Sequence, residues 1–268
     1  MSQKNIKYCF IHIPKTGGTF INYVLRSLFG IRHVDVIKNF NEKDSLPVWE
    51  KAVGLKDIKK IFKLHPFVNS IASHFLMPTN EMLKIFPNAI WFSVLRSPKK
   101  RIISDYKDKC RLKNKIVDFY SWAEKRKNLE LKMLSGKSDI DYCINYIRKG
   151  NIKILLQEQL NADIELLFNF NKINSKKLTS LKPKNVSSLE KELDEAIREQ
   201  LQKINIDFYI DNSKILYEYI RKKRNSNQNY FKFEKSEMKN NILNRKNVFA
   251  NKIYRNLIYK PLSLFSSR

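Results

Sequence analysis

The chain has 268 residues, enough for one domain with a proper core, and 52 Lys and Arg stand against 26 Asp and Glu, a formal net charge of +26. That charge suits anionic ligands, while the lack of zinc-finger spacing, an RNA-binding signature or a basic leucine zipper argues against a nucleic-acid partner. Cys9, Cys110 and Cys143 are odd in number and form no CxxC, which argues against a disulfide framework and a zinc site.

The apolar run from Tyr8 to Ile13 reads as a first strand over 7–13, stopped by Pro14. A helix is predicted from Thr19 to Phe29, with Ile21, Val24, Leu25 and Leu28 as its apolar stripe and Gly30 as its stop. Strand, glycine turn and helix start are the parts of a phosphate cradle. Lys15, Thr16, Gly17, Gly18, Thr19 and Phe20 form this first candidate site. Its glycines let backbone N–H groups approach an anion, Lys15 adds a mobile cation, and Thr16 and Thr19 add hydroxyl donors. The order differs from the nucleotidase loop, because Lys15 precedes both glycines. The triplet Gly136-Lys137-Ser138 fails the same pattern, having Leu131 where the first glycine belongs.

Residues 31–60 read as a variable stretch. Ile61–Leu64 and Val68–Ala72 are short apolar runs with the look of strands, and Thr79–Phe86 reads as a helix capped by Thr79 or Asn80. Ile90 to Leu95 is continuously apolar, as a strand buried on both faces should be; the predicted strand is 89–95. Ser97 as N-cap and Pro98 at the first helical position then open a helix over 98–109. Arg96 therefore sits at the carboxyl end of a strand, the edge where open α/β sheets bind ligands. Arg101 and Ser104 lie three apart on the new helix, so Arg96 and Ser104 can converge on one anion with Arg101 nearby. A solvated basic helix start, with Lys99 and Lys100, explains the same residues without a ligand.

Helices are predicted near 118–127 and 139–149, a strand over Lys153–Leu156, and a last helix over 212–223. Ser187 and Glu190 make a capping box for a helix carrying Leu189, Leu193, Ile197 and Leu201. Strands alternating with helices imply parallel pairing with right-handed crossovers. From Arg221 onward there are thirteen Lys or Arg and two Glu, a net of +11. The expected division is an α/β domain over 1–224 and a basic C-terminal tail over 225–268. Within the tail, 247–265 reads as an amphipathic helix at an anionic membrane surface or on a partner protein, or as a partly ordered basic tail.

Together, the segments Ile-Pro-Lys-Thr-Gly-Gly-Thr at 13–19 and Leu95, Arg96, Pro98, Arg101, Ser104 and Tyr106 resemble the PAPS-dependent sulfotransferase superfamily. The nearest branch is that of the carbohydrate sulfotransferases related to the heparan sulfate 2-O and 6-O enzymes and their bacterial relatives. The resemblance covers residues 5–220; it is specific in these two motifs and diffuse between them, through Asn128–Gly136 and the turn Lys184-Asn185-Val186-Ser187. Position 97, usually acidic in the family, is Ser97 here, read as a cap swap. The resemblance implies a P-loop-like three-layer αβα fold with a central parallel sheet and a mostly helical C-terminal extension. It further implies that the loop at Lys15 holds the 5′-phosphosulfate of 3′-phosphoadenosine 5′-phosphosulfate (PAPS), and that Arg96, Arg101 and Ser104 hold the 3′-phosphate. Lys184, Asn185 and Ser187 resemble a turn that closes over the nucleotide, though Ser187 is equally explained as a helix cap. No metal is implied, and the acceptor is expected to be a glycan hydroxyl. The family's animal Golgi members carry an N-terminal anchor; no leading apolar run or signal peptide is visible in this chain, which points to a cytoplasmic, bacterial-type enzyme, peripheral at most at the inner membrane face.

An alcohol is a poor nucleophile at neutral pH, so the reaction calls for a base. His12 falls within the first strand and reads as structural, and His33 belongs to no motif. The family's proposed base, a Gly-His or Ser-His some twenty residues before the Leu-Arg motif, lands on His74 of Ser73-His74; His65 is the reserve, and Glu81 or another carboxylate is the remaining option. Lys15 carries the second catalytic role, charge on the leaving phosphate. Two other readings stay open: a P-loop-like kinase of a small molecule or glycan, and a basic nucleic-acid or anionic-surface binding protein.

Overall fold

The structure, a computed structural model, describes residues 6–36, 52–149, 152–168, 188–226 and 244–259. Five short segments pair in parallel into one sheet: β1 (Tyr8–Ile11), β2 (His33–Asp35), β3 (Ser70–Ser73), β4 (Ile90–Leu95) and β5 (Ile152–Leu156), in the order β2-β3-β1-β4-β5. Successive strand side chains alternate between two hydrophobic layers. Tyr8, Phe10, Phe92, Val94 and Leu155 join one cluster, whereas Cys9, Ile11, Trp91, Leu95, Ile154 and Leu156 join the other. Burial on both faces is why these strands read as unbroken apolar runs.

The described helices are α1 (Gly18–Phe29), α2 (Leu55–Leu64), α3 (Asn80–Ile85), α4 (Pro98–Lys113), α5 (Phe119–Glu124), α6 (Leu129–Ser135), α7 (Ile140–Lys149), α8 (Leu160–Phe168), α9 (Ser188–Gln202), α10 (Asp207–Ser226) and α11 (Arg245–Tyr254). Ile21 and Leu25 of α1 and Ile164 and Phe168 of α8 cover one face of the sheet. Ile58 of α2, Met82 of α3, Met133 of α6, Cys143 of α7 and Leu216 of α10 cover the other. This is the three-layer, P-loop-like αβα architecture. A third cluster, with Ile102 and Tyr106 of α4, Phe119 and Trp122 of α5, Ile197 of α9 and Ile210 of α10, extends the helical side.

Three local expectations are revised. Ile61–Leu64 is the last turn of α2, not a strand: Ile58 and Ile61 are buried at helical spacing, and the Asp57 carboxylate accepts from the Gly54 N–H at 2.9 Å to start the helix. The stretch after Gly30 contains the three-residue edge strand β2, too short to show a period. The helix opened at Pro98 runs on to Lys113, closed by Asn114 in the left-handed region (φ 48°). Thr79 caps α3 as expected, accepting from the Met82 N–H at 3.3 Å.

Helix α11 lies against α1 and the edge of the sheet. Asn247 Nδ2 donates to the Ser27 carbonyl at 2.9 Å, and Asn251 Nδ2 donates to the carbonyls of Gly30 at 2.7 Å and His33 at 2.9 Å. Tyr254 donates to the Leu64 carbonyl at 3.3 Å, and Arg255 stands 3.6 Å from Asp35. An edge strand's open carbonyl is thereby satisfied by a side chain of the same molecule. Among the described residues no helix is long and apolar enough to cross a membrane.

Candidate active site

Strand register decides what meets at the carboxyl edge of the sheet. Ile11 of β1 pairs with Ser73 of β3, so His12 and His74 leave the sheet side by side. Ile11 also pairs with Ser93 of β4, so Arg96 emerges three residues later, beside the turn that follows β1. There its Nη1 donates to the Lys15 carbonyl at 3.1 Å, while its buried Nε has no partner among the described residues.

The turn itself is held open by backbone conformation and packing. Lys15 (φ 64°) and Gly17 (φ 98°) occupy the left-handed region, and the Thr16 hydroxyl donates to the Ile13 carbonyl at 2.9 Å. Thr16 is fully buried, so its hydroxyl fastens the loop rather than facing outward. Gly18 opens α1 and is required for a different reason. A Cβ there would fall 1.8 Å from Nε2 of His12, because the Nε2 side of the imidazole lies against the glycine. Thr19 is exposed and Phe20 half-buried on the first turn, whose leading N–H groups have no partner within the helix.

Lys15 Nζ pairs with Asp108 at 3.1 Å, both side chains well exposed to solvent at 30% and 47%. Asp108 lies one turn beyond Ser104 on α4, so the half-buried Ser104 is on the helix face that turns toward the cradle. By spacing Arg101 also lies near that face, two turns before Asp108, but its guanidinium is turned inward. It is 1% exposed, its Nε donates to Glu130 Oε1, and its Nη1 stands 3.6 Å from Asp105. Ser213 donates to the other Glu130 oxygen at 3.0 Å. The structure thus brings Lys15, Gly17, Gly18 and Arg96 together, with Ser104 turned toward them, and places Arg101 in a buried ion-pair cluster instead. A spacing of three residues permits a shared face; the burial of Glu130 on α6 pulls Arg101 inward. Tyr106 is likewise turned inward, its hydroxyl against the Val117 carbonyl and the Gln200 side chain. Lys184, Asn185 and Ser187 lie outside the described residues.

His74 is held in one tautomer. Its Nδ1 is 2.6 Å from the His12 carbonyl, which can only accept, so Nδ1 carries the proton and Nε2 keeps its lone pair. Its ring stacks on that of His12, centroids 3.9 Å apart, and the His12 ring in turn contacts Gly18. Burial pushes the His74 pKa down, against the opposing pull of its bond to His12 and of the Asp105 carboxylate, so the imidazole is neutral at pH 7. For His12, burial and the neighbouring His74 lower the pKa to about 3. His12, expected inside the strand as a structural residue, stands just past it and forms the wall between cradle and His74.

His65 sits at the opposite end of β3, edge-on to the Tyr254 ring of α11 with centroids 5.1 Å apart, and so does not share this edge. Glu81 is exposed on the first turn of α3.

Sequence reasoning missed the segment after β5. Gln157, Glu158, Leu160 and Asn161, with Arg224 of α10, line an open cleft of about 750 Å³ beside Gly17 and Phe20, within the size range of small-ligand sites. The rule that ligands gather at the carboxyl edge would have found 157–161; Arg224, far along the chain, carries no local signal. Arg224 is set by Asp163, which also accepts from the Leu156 N–H at 2.8 Å. Glu158 also reaches the start of α4, where its Oε1 accepts from the Ser97 N–H at 3.0 Å. The Ser97 hydroxyl makes no capping bond, so the carboxylate missing at position 97 arrives at this helix start from the segment after the next strand.

A family model described as "Sulfotransferase family" matches residues 1–209. Among solved structures, the chain is similar to a sulfotransferase from Alicyclobacillus acidocaldarius at 15% identity and a TM-score of 0.44, covering 80% of this chain and 96% of that one, a likeness too distant to carry an argument. A comparison with curated proteins found no match.

Proposed function

The chain belongs to the sulfotransferase family and is a transferase of the sulfotransferase type, and from that premise we propose that it moves the sulfuryl group of PAPS in line to a hydroxyl of a carbohydrate acceptor, without a metal. PAPS is the family's sulfate donor in general. The observation that carries the reading is the meeting of Lys15, Arg96 and a single-tautomer His74 at one sheet edge. The fit is supported by the turn that Lys15 and Gly17 make in the left-handed region and by the buried Arg96 Nε, which has no partner among the described residues.

In this reading the donor supplies an activated sulfuryl group on a phosphate leaving group. The turn at 15–19 and the N-terminus of α1 bind the phosphosulfate, Arg96 and Ser104 bind the 3′-phosphate, and the cleft at 157–161 takes the nucleoside. Lys15 leaves Asp108 and places its ammonium on the oxygen where negative charge grows as the sulfur–oxygen bond breaks. His74 Nε2 accepts the acceptor's hydroxyl proton as the new oxygen–sulfur bond forms. Positioning and electrostatics suffice for such a transfer.

The test is a thermal-shift titration. The expected outcome is stabilisation by 3′-phosphoadenosine 5′-phosphate without magnesium, about 2.7 kcal/mol at a hundred times Kd, and none by Mg-ATP. The converse pattern would establish the kinase reading. His74→Gln is expected to lower turnover of labelled PAPS with a polysaccharide fraction about 10²- to 10⁴-fold while leaving nucleotide affinity in place; normal turnover removes His74 as base.

A further inference from the structure

We propose that the outward face of α11 is a docking surface for an anionic lipid bilayer. The inward face of this helix is fixed by Asn247, Asn251 and Tyr254, which bond to α1, the turn after it, β2 and the end of α2. Its orientation on the domain is therefore set before any partner arrives. Opposite those residues stand Phe249 at 66% exposure, Ile253 at 42% and Leu257 at 71%, the last in the π-helical turn that continues α11. They are four apart, so they form one apolar stripe. Three large hydrophobics in a row, exposed on a helix whose other side is already bonded to the domain, call for a further partner.

Charge decides which partner. Arg245, Lys246 and Lys252 are exposed on the same helix, and no acidic residue occurs from 244 to 259. A second copy of this chain would bring the same basic helix, on a molecule of net charge +26, against itself. A nucleic acid would satisfy the cations and leave Phe249, Ile253 and Leu257 in water. An anionic bilayer surface satisfies both: the stripe enters the headgroup–acyl boundary while the lysines and arginine meet lipid phosphates. The helix is already folded, so binding carries no cost of ordering it.

Co-sedimentation of the full chain with phosphatidylcholine vesicles, with and without phosphatidylglycerol, tests this. The expected result is binding to the anionic vesicles alone, weakened by salt. The triple variant Phe249→Ser, Ile253→Ser, Leu257→Ser should bind at least about tenfold more weakly. Because those changes could perturb folding, Lys246→Glu with Lys252→Glu is the second probe; it keeps the stripe and should also release the anionic vesicles. The thermal midpoint and 3′-phosphoadenosine 5′-phosphate binding of both variants report whether the domain is intact. No binding to anionic vesicles at low salt overturns the proposal. So does undiminished binding by the triple variant, or a stripe-dependent dimer in size-exclusion chromatography without vesicle binding.

Discussion

Two neighbouring faces of α4 hold charge in opposite ways. The outer face presents Ser104 and Asp108 to the cradle, and the ion pair Lys15–Asp108 there is partly solvated. Roughly a sixth of a turn away, at 3.6 residues per turn, Arg101 and Asp105 are buried with Glu130 and Ser213, and the half-buried Arg126 stands beside Asp105. A surface pair costs little to break, whereas a buried charge left without its partner is expensive. The outer pair can therefore open at little cost, whereas the inner face cannot release Arg101 without loosening the junction of α4, α6 and α10. Two aspartates of one helix, Asp105 and Asp108, thus differ in how firmly they hold a cation according to burial.

The sharpest way to break this comparison is Arg101→Ala. It should destabilise the fold by about 3–5 kcal/mol, read as a drop in thermal midpoint, while the folded fraction keeps its affinity for 3′-phosphoadenosine 5′-phosphate. A variant of normal stability with lost affinity would move Arg101 into the site. Gly18→Ala should come next, at about 1–3 kcal/mol, because its methyl meets the His12 ring. Here the double variant His12→Ala, Gly18→Ala should recover part of that loss in the same melt, which simple loss of helix-start geometry would not allow.

The neutral histidines give a pH signature. His12 at about 3 and His65 at about 4 lie below the unfolded value near 6.5, and His74 is lowered too. Depressed imidazoles bind fewer protons folded than unfolded. Their contribution is therefore complete above pH 6.5 and drains as pH falls toward the folded values, by up to roughly 1.4 kcal/mol per pH unit for a well-buried ring. Denaturant midpoints should fall between pH 7 and 5, and His12→Phe should flatten that slope. The smallest effect belongs to Asp108→Asn: stability within about 1 kcal/mol of the parent, and nucleotide binding equal or slightly tighter by titration calorimetry, since Lys15 loses a competitor.

What the sequence discloses depends on how local the cause is. The cradle is legible because strand, glycines and helix are contiguous from Tyr8 to Phe29. Arg96 is legible because a buried strand ends just before it. Arg101 is misplaced by its spacing because its partner, Glu130, lies on another helix and leaves no trace around residue 101. His12 reads as part of the strand, since a period-two pattern cannot reveal that its ring rests on Gly18. Strand β2 and the cleft at 157–161 escape for a related reason: three residues carry no period, and a cleft exists only once distant segments meet.

The contact of the His12 ring with Gly18 on one side and His74 on the other has a mechanical meaning. Three groups in series at van der Waals distance leave no slack, and a close-packed interior transmits displacement instead of absorbing it. A side chain added at Gly18 must therefore displace the His12 ring, and with it the imidazole stacked behind.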